Sequence, residues 1–200
     1  GYKAYFEKAF GPDSMTVENA ARAVAAFERT LITPNSAYDK YVKGDKQAMT
    51  EQQIRGMNTF ESAGCLACHS GPAFNGPGMK MGEGFYAKFP TFADNDYVAT
   101  YKIDQDKGRA EVTGKDADAN MFRVPTLRNI TDTAPYFHNG SVNDLHEAVR
   151  VMAKTQLNRD LADGDVDDIV SFLGALTGEY PVITMPRLPA TPGKSLVVGN

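Results

Sequence analysis

Gly64-Cys65-Leu66-Ala67-Cys68-His69 is the stretch whose reading decides the fold. C-x-x-C-H is the signature for covalent attachment of a c-type haem. Cysteines three apart on one helical turn can both reach the vinyl groups along one porphyrin edge, and the histidine after them points its imidazole at the iron. That chemistry sets both the residue types and the spacing. Three other readings compete. A thioredoxin-like redox pair expects a βαβ context and has no need of the histidine. A zinc site needs two further ligands, and the other histidines, His138 and His146, lie about seventy residues on, beyond zinc-finger spacing. A structural disulfide would have to close a tight loop. Both cysteines of the chain are used here and none is spare, and haem attachment is the reading the residues favour.

Working outward, 200 residues can form one sizeable domain, or one domain and part of a second. A hydrophobic fraction of 42% sustains a core, and 23% charged residues a solvated surface. The net charge of −4 argues against nucleic acid, which calls for basic patches, and suits a basic partner such as a small cytochrome. The sequence has no apolar run of membrane-spanning length, and no membrane association is expected. No signal peptide is visible, and the first residue is Gly1 rather than Met. Because haem c is ligated outside the bacterial cytoplasm, the expected compartment is the periplasm, with an export signal or more sequence lost upstream.

Thr50 with Gln53 forms a capping box before Ile54, Met57 and Phe60, predicting the helix that delivers the chain to Gly64. Further upstream, Tyr2, Tyr5, Phe6 and Phe10 share a helix face. Thr16 caps a helix carrying Val17, Ala20, Ala21, Val24, Phe27 and Leu31, which Pro34 ends. From Ser70 to Asn120 the periodicity fades, predicting long loops held by something large, with a short strand pair. Ser141 and Asp144 signal a helix start, with Val142, Leu145, Val149 and Met152 on one face. Asp165 caps a last helix of Val166, Ile169, Val170, Leu173 and Leu176, stopped by Gly178. Tyr180–Asn200 is proline-punctuated and expected to be extended. The fold class is mainly α: a cytochrome c-like haem domain with long loops and few short strands. On spacing alone Met152 reads as a core residue.

Several runs together resemble the bacterial di-haem cytochrome c peroxidases. They are Ala26-Phe27-Glu28-Arg29-Thr30-Leu31-Ile32-Thr33-Pro34-Asn35, Gly64–Pro72, Phe122–Asn129, Ala134–Gly140 and Tyr180–Pro189, in the family's order. Members of that family carry two haem c domains. One haem, of low potential, meets hydrogen peroxide; the other, of high potential with His/Met ligation, receives electrons from a small donor protein, a cytochrome c or a cupredoxin. This chain is similar to the second domain and its flanks. A second C-x-x-C-H is absent, so the resemblance implies one haem c here and two in a full enzyme, with no catalytic residue in this chain.

Residue by residue, the resemblance implies thioethers at Cys65 and Cys68, a proximal iron bond from His69 and an axial one from Met152, with Met121, Met79 and Met81 as rivals. It implies a calcium ion held by the main-chain carbonyls of Thr133 and Pro135, and often a homodimer. Arg123 and Arg128 are candidate partners of the haem propionates, since a guanidinium suits carboxylate. His138 could be a sixth iron ligand, a relay near the haem edge or a satisfied buried histidine, and with Met152 available it is read as a structural residue supporting the site; His146 is read as solvent-facing. Phe74, Pro77 and Met79 are a candidate docking patch for the donor. The expected division is a helical segment over 1–48 that packs on an N-terminal peroxidatic haem domain, a haem domain over 49–178 and a tail over 179–200. The expected function is electron acceptance and relay in a periplasmic cytochrome c peroxidase that reduces hydrogen peroxide to water. The alternative is a stand-alone mono-haem electron-transfer cytochrome without peroxidase activity.

Overall fold

A computed structural model describes residues 1–78 and 83–190. Met79 and Met81 therefore lie outside the described residues. The chain divides into two compact units, Thr33–Glu179 and Gly1–Ile32 with the segment from Tyr180 onward.

The smaller unit contains α1 (Lys3–Phe10) and α2 (Val17–Glu28). The Thr16 hydroxyl accepts from the Asn19 N–H at 3.2 Å, the expected cap. The second helix stops at Glu28, before Leu31 and Pro34. Thr30 explains the early end: its N–H and its hydroxyl both donate to the Phe27 carbonyl, at 2.8 and 2.7 Å, closing the last turn locally. Tyr5, Val24, Phe27 and Ile32 are exposed.

The larger unit holds α3 (Ala37–Val42), α4 (Glu51–Ala63), α5 (Asp96–Thr100), α6 (Ala110–Thr113), α7 (Leu145–Leu157) and α8 (Asp163–Gly174), with a two-stranded ribbon. In that ribbon β1 (Tyr86–Lys88) runs antiparallel to β2 (Met121–Arg123), pairing Ala87 with Phe122. The reciprocal capping box of Thr50 and Gln53 starts α4 as expected. Two expected helix starts are corrected. Helix α7 is capped by Asp144 alone, whose carboxylate accepts from the Glu147 N–H at 2.8 Å; Val142 lies outside it, in a bridge with Tyr136. Helix α8 begins at Asp163, so Asp165 sits inside its first turn, where a negative charge faces the positive helix end. That helix ends at Gly174, and Gly178 instead donates its N–H to Asn129 Oδ1 at 3.0 Å. Within 70–120, α5 and α6 fill stretches expected to be loops; at five and four residues they are too short to show a helical period.

The core lies where α4 packs along α8. The rings of Phe60, Phe74 and Phe172 interlock, with Phe60 and Phe172 centroids 5.5 Å apart, among Met49, Ile169, Leu173 and Leu176. Gly56 makes the approach close enough, because a Cβ there would fall 1.8 Å from the Asp168 carbonyl oxygen. Beside it Arg55 donates twice to the Asp168 carboxylate, at 3.0 and 3.2 Å. Since the obstacle is backbone, Gly56→Ala must push the helices apart. The expected cost is about 3 kcal/mol, read as a lower urea midpoint at unchanged slope; an unchanged midpoint would remove this account of the packing.

Candidate cofactor cavity

Helix α4 ends at Gly64, whose φ of +100° is open to glycine at little cost, and this left-handed turn carries the chain into the Cys65–Ala67 turn. The N–H groups of Cys68 and His69 both donate to the Cys65 carbonyl, at 3.2 and 2.9 Å, which holds the motif in one helical turn. Cys65, Cys68 and His69 thereby face a cavity of about 460 Å³, within the usual range for small-molecule and cofactor sites.

Each element adds a wall. Helix α7 turns Leu145, Ala148, Val149, Met152, Ala153 and Leu157 toward the cavity, a stripe at three- and four-residue spacing. The ribbon adds Ala87, Phe122 and Arg123, and the segments after it add Val124, Leu127 and Phe137. Met152 belongs to a small apolar cluster with Phe89, Ile103 and Val151, whereas Phe60 stands 6.4 Å from the His69 ring. With Tyr136 and Ala148 of a third cluster also on its wall, the cavity joins three hydrophobic clusters.

Burial pushes the Cys65 thiol up to about 11 and the Cys68 thiol upward as well, so both are protonated near neutral pH. Burial also lowers the pKa of His69, against a smaller opposite effect of its bond to Phe74. The neutral ring has its Nδ1 2.9 Å from the Phe74 carbonyl. A carbonyl can only accept, so Nδ1 carries the proton and Nε2 keeps its lone pair free for a metal.

Of the residues picked from the sequence, Cys65, Cys68, His69, Met152, Arg123, Thr133 and Pro135 all line this one cavity. His138 lines it too, stacked on Phe122 at 4.3 Å; burial lowers its pKa, with Asp106 pulling the other way. Met121 is in β2 and is not a lining residue. Arg128 is placed elsewhere. Its guanidinium donates to Pro72 O at 2.9 Å, Ser36 Oγ at 3.0 Å and Asp39 Oδ1 at 2.8 Å, so its donors face protein groups. The docking-patch reading of Phe74 is corrected: its ring is 4% exposed, packed between Phe60 and Phe172. Pro77 is exposed. His146 is half-exposed, 3.5 Å from Asp167 and 3.9 Å from Asp144. Sequence reading missed the Phe74 carbonyl, for which no side-chain signal exists, and the continuation of the α7 stripe to Ala153 and Leu157, which its periodicity could have revealed.

Two thiols, an imidazole with a free Nε2, a thioether and apolar walls form a donor set that fits a porphyrin held through both cysteines. The carbonyls of Thr133 and Pro135 fall short of the six to eight oxygens calcium takes. Among the described residues no group of three or more His, Cys, Asp or Glu side chains could hold a metal ion, so calcium would need donors from beyond them.

The mainly α fold with C-x-x-C-H at an apolar cavity is that of a cytochrome c-like haem domain. Residues 1–47 match the family described as di-haem cytochrome c peroxidase. The chain is 42% identical to the cytochrome c551 peroxidase of Nitrosomonas europaea, over 94% of this chain and 53% of that protein. It is 40% identical to the cytochrome c551 peroxidase of Pseudomonas aeruginosa, over 95% and 52%. A solved structure of a MauG-like protein associated with microbial copper homeostasis superposes with a TM-score of 0.67 at 27% identity, covering 89% of this chain and 59% of that one. The chain belongs to the di-haem cytochrome c peroxidase family, and it spans about half the length of the curated relatives it matches.

The Arg128–Asp39 pair yields a pH prediction. Desolvation pushes the Asp39 carboxyl up, but hydrogen bonds from Arg128 and Ser36 and the Arg128 charge outweigh it, leaving the group below its ordinary value. A depressed folded-state pKa means the stabilisation is full above the ordinary carboxylate value of about 3.9 and is lost as pH falls through the folded value. Asp39→Asn should therefore cost about 2 kcal/mol near neutrality and flatten the acid limb of a thermal-melt pH profile. An acid limb identical to that of the parent protein would contradict the assignment.

Proposed function

We propose that this cavity holds one haem c, with thioether links to Cys65 and Cys68 and the iron between His69 and Met152. The domain then serves as the electron-accepting and relay half of a periplasmic cytochrome c peroxidase. One observation carries the reading: the C-x-x-C-H turn and the α7 stripe containing Met152 line the same apolar cavity. The 39–42% identity to proteins named cytochrome c peroxidases supports the reaction class.

Haem c held by His69 and Met152 would supply a reversible one-electron iron couple, with a potential raised by the thioether ligand. The protein's share is positional and electrostatic. His69, fixed by its Nδ1–H donation to Phe74, presents a single nitrogen. Met152 offers a soft sulfur on a rigid helix. Phe89, Phe122, Val124 and Leu127 exclude water, and Arg123 gives the largely apolar wall a cation suited to a propionate.

Peroxide reduction takes two electrons and two protons to give two waters, so a one-electron domain supplies half the electrons at a time. If His69 and Met152 both hold the iron, this domain would relay electrons, and bond cleavage would fall to a part of the full-length enzyme that this chain does not span. The acidic net charge suits a basic electron donor, a small cytochrome c or a cupredoxin. Thr133 and Pro135 would give calcium two carbonyl donors only, the others coming from beyond the described residues, and the assembly proposed is a homodimer. Among the described residues no helix is long and apolar enough to cross a membrane.

The test is spectroscopic and chemical. Haem-loaded protein should resist acid–acetone extraction and show the weak near-infrared sulfur-to-iron band when oxidised. Met152→Ala should keep the covalent haem, lose that band and bind carbon monoxide when reduced. Extractable haem, or an unchanged band in Met152→Ala, would overturn the assignment.

A further inference from the structure

Three consecutive carbonyls after the haem motif are each held by a different donor. Arg128 Nε donates to Pro72 O at 2.9 Å, Thr126 Oγ1 to Ala73 O at 2.6 Å, and His69 Nδ1 to Phe74 O at 2.9 Å. We propose that Thr126 and Arg128 form a clamp that positions His69, acting through the backbone of residues 72–74. The proposal rests on His69 being the proximal iron ligand.

Phe74 shows that the loop needs holding. Its φ is +52°, a left-handed conformation that costs a bulky residue free energy and persists only where the surroundings fix it. Its ring is fixed by Phe60, Phe172 and Tyr38. Its own N–H donates to Gly71 O at 3.1 Å, the Gly76 N–H closes the loop onto Ser70 O at 3.2 Å, and the two clamp bonds hold the carbonyls one and two residues earlier.

The clamp is itself anchored. Arg128 Nη1 and Nη2 reach Ser36 Oγ and Asp39 Oδ1 at the start of α3, and its guanidinium stands 5.5 Å from the Phe74 ring centroid. The Thr126 hydroxyl also accepts from the Arg128 N–H at 3.1 Å, tying the two clamp residues together. A guanidinium suits this place, since donors on three nitrogens in one plane reach three separate groups at once.

The consequence is electronic. Donation from Nδ1–H to a carbonyl gives the imidazole more anionic character, makes it a stronger donor and favours oxidised iron. A loosened Phe74 carbonyl weakens that bond and raises the reduction potential. Removing a nearby positive charge does the opposite, so the sign separates the two effects when the charge is conserved.

The experiment therefore uses Thr126→Val, which removes one clamp bond and no charge, and Arg128→Lys, which keeps the charge but loses the planar fork. Both are measured in haem-loaded protein. Each should shift the midpoint potential positively and speed solvent exchange of the His69 Nδ1–H proton, followed by NMR in the reduced diamagnetic state. Should Arg128→Lys fail to fold, the exposed Thr126 position still decides the matter. An unchanged potential and exchange rate in Thr126→Val, or a negative shift, would overturn the clamp. Failure of the parent protein to hold haem covalently would instead overturn the haem reading, so the two failures are distinguishable.

Discussion

The close crossing of α4 and α8 at Gly56 is the constraint on which the rest of the larger unit depends. With no side chain at that point, the α4 backbone approaches the Asp168 carbonyl, and Phe60 and Phe172 can interlock. Helix α4 is then fixed in place, and its left-handed end at Gly64 aims the C-x-x-C-H turn. A wider crossing would displace Cys65, Cys68 and His69 together, because they hang from the same helix end.

The cavity is built by elements distant in sequence, and its chemistry follows from what each contributes. Helix α7 and the strand ribbon give apolar walls, while the motif gives the thiols and the imidazole. Water exclusion lowers the local dielectric, which keeps His69 neutral and both thiols protonated. The neutral His69 ring suits ligation, while the raised thiol pKa values keep Cys65 and Cys68 from ionising in the cavity.

The polar network around Arg128 lies behind His69 and faces α3. It joins Ser36, Asp39, Thr126 and the carbonyls of Pro72 and Ala73 into one connected set. The pairing of Arg128 with Asp39 at 2.8 Å, with both side chains under one fifth exposed, makes this more than a surface ion pair. Its position links the start of α3 to the loop that carries the acceptor for His69.

Read alone, the sequence determined the haem motif, the capping box at Thr50 and Gln53, the mainly α class and the membership in the peroxidase family. Each of these is local: a fixed spacing, a side chain reaching its own backbone three residues on, or a run of matching residues. Met152 read alone as core packing; a resemblance named it as a ligand, and the tertiary structure placed it on the cavity wall with His69. Only the tertiary structure decided that Arg128 turns to Asp39 and not to the cavity, that Phe74 is buried, and that a backbone carbonyl meets His69. Those outcomes depend on contacts between residues as much as 92 positions apart, such as Arg128 with Ser36, and on a main-chain atom that every residue type carries. No pattern of side chains along the chain encodes either one.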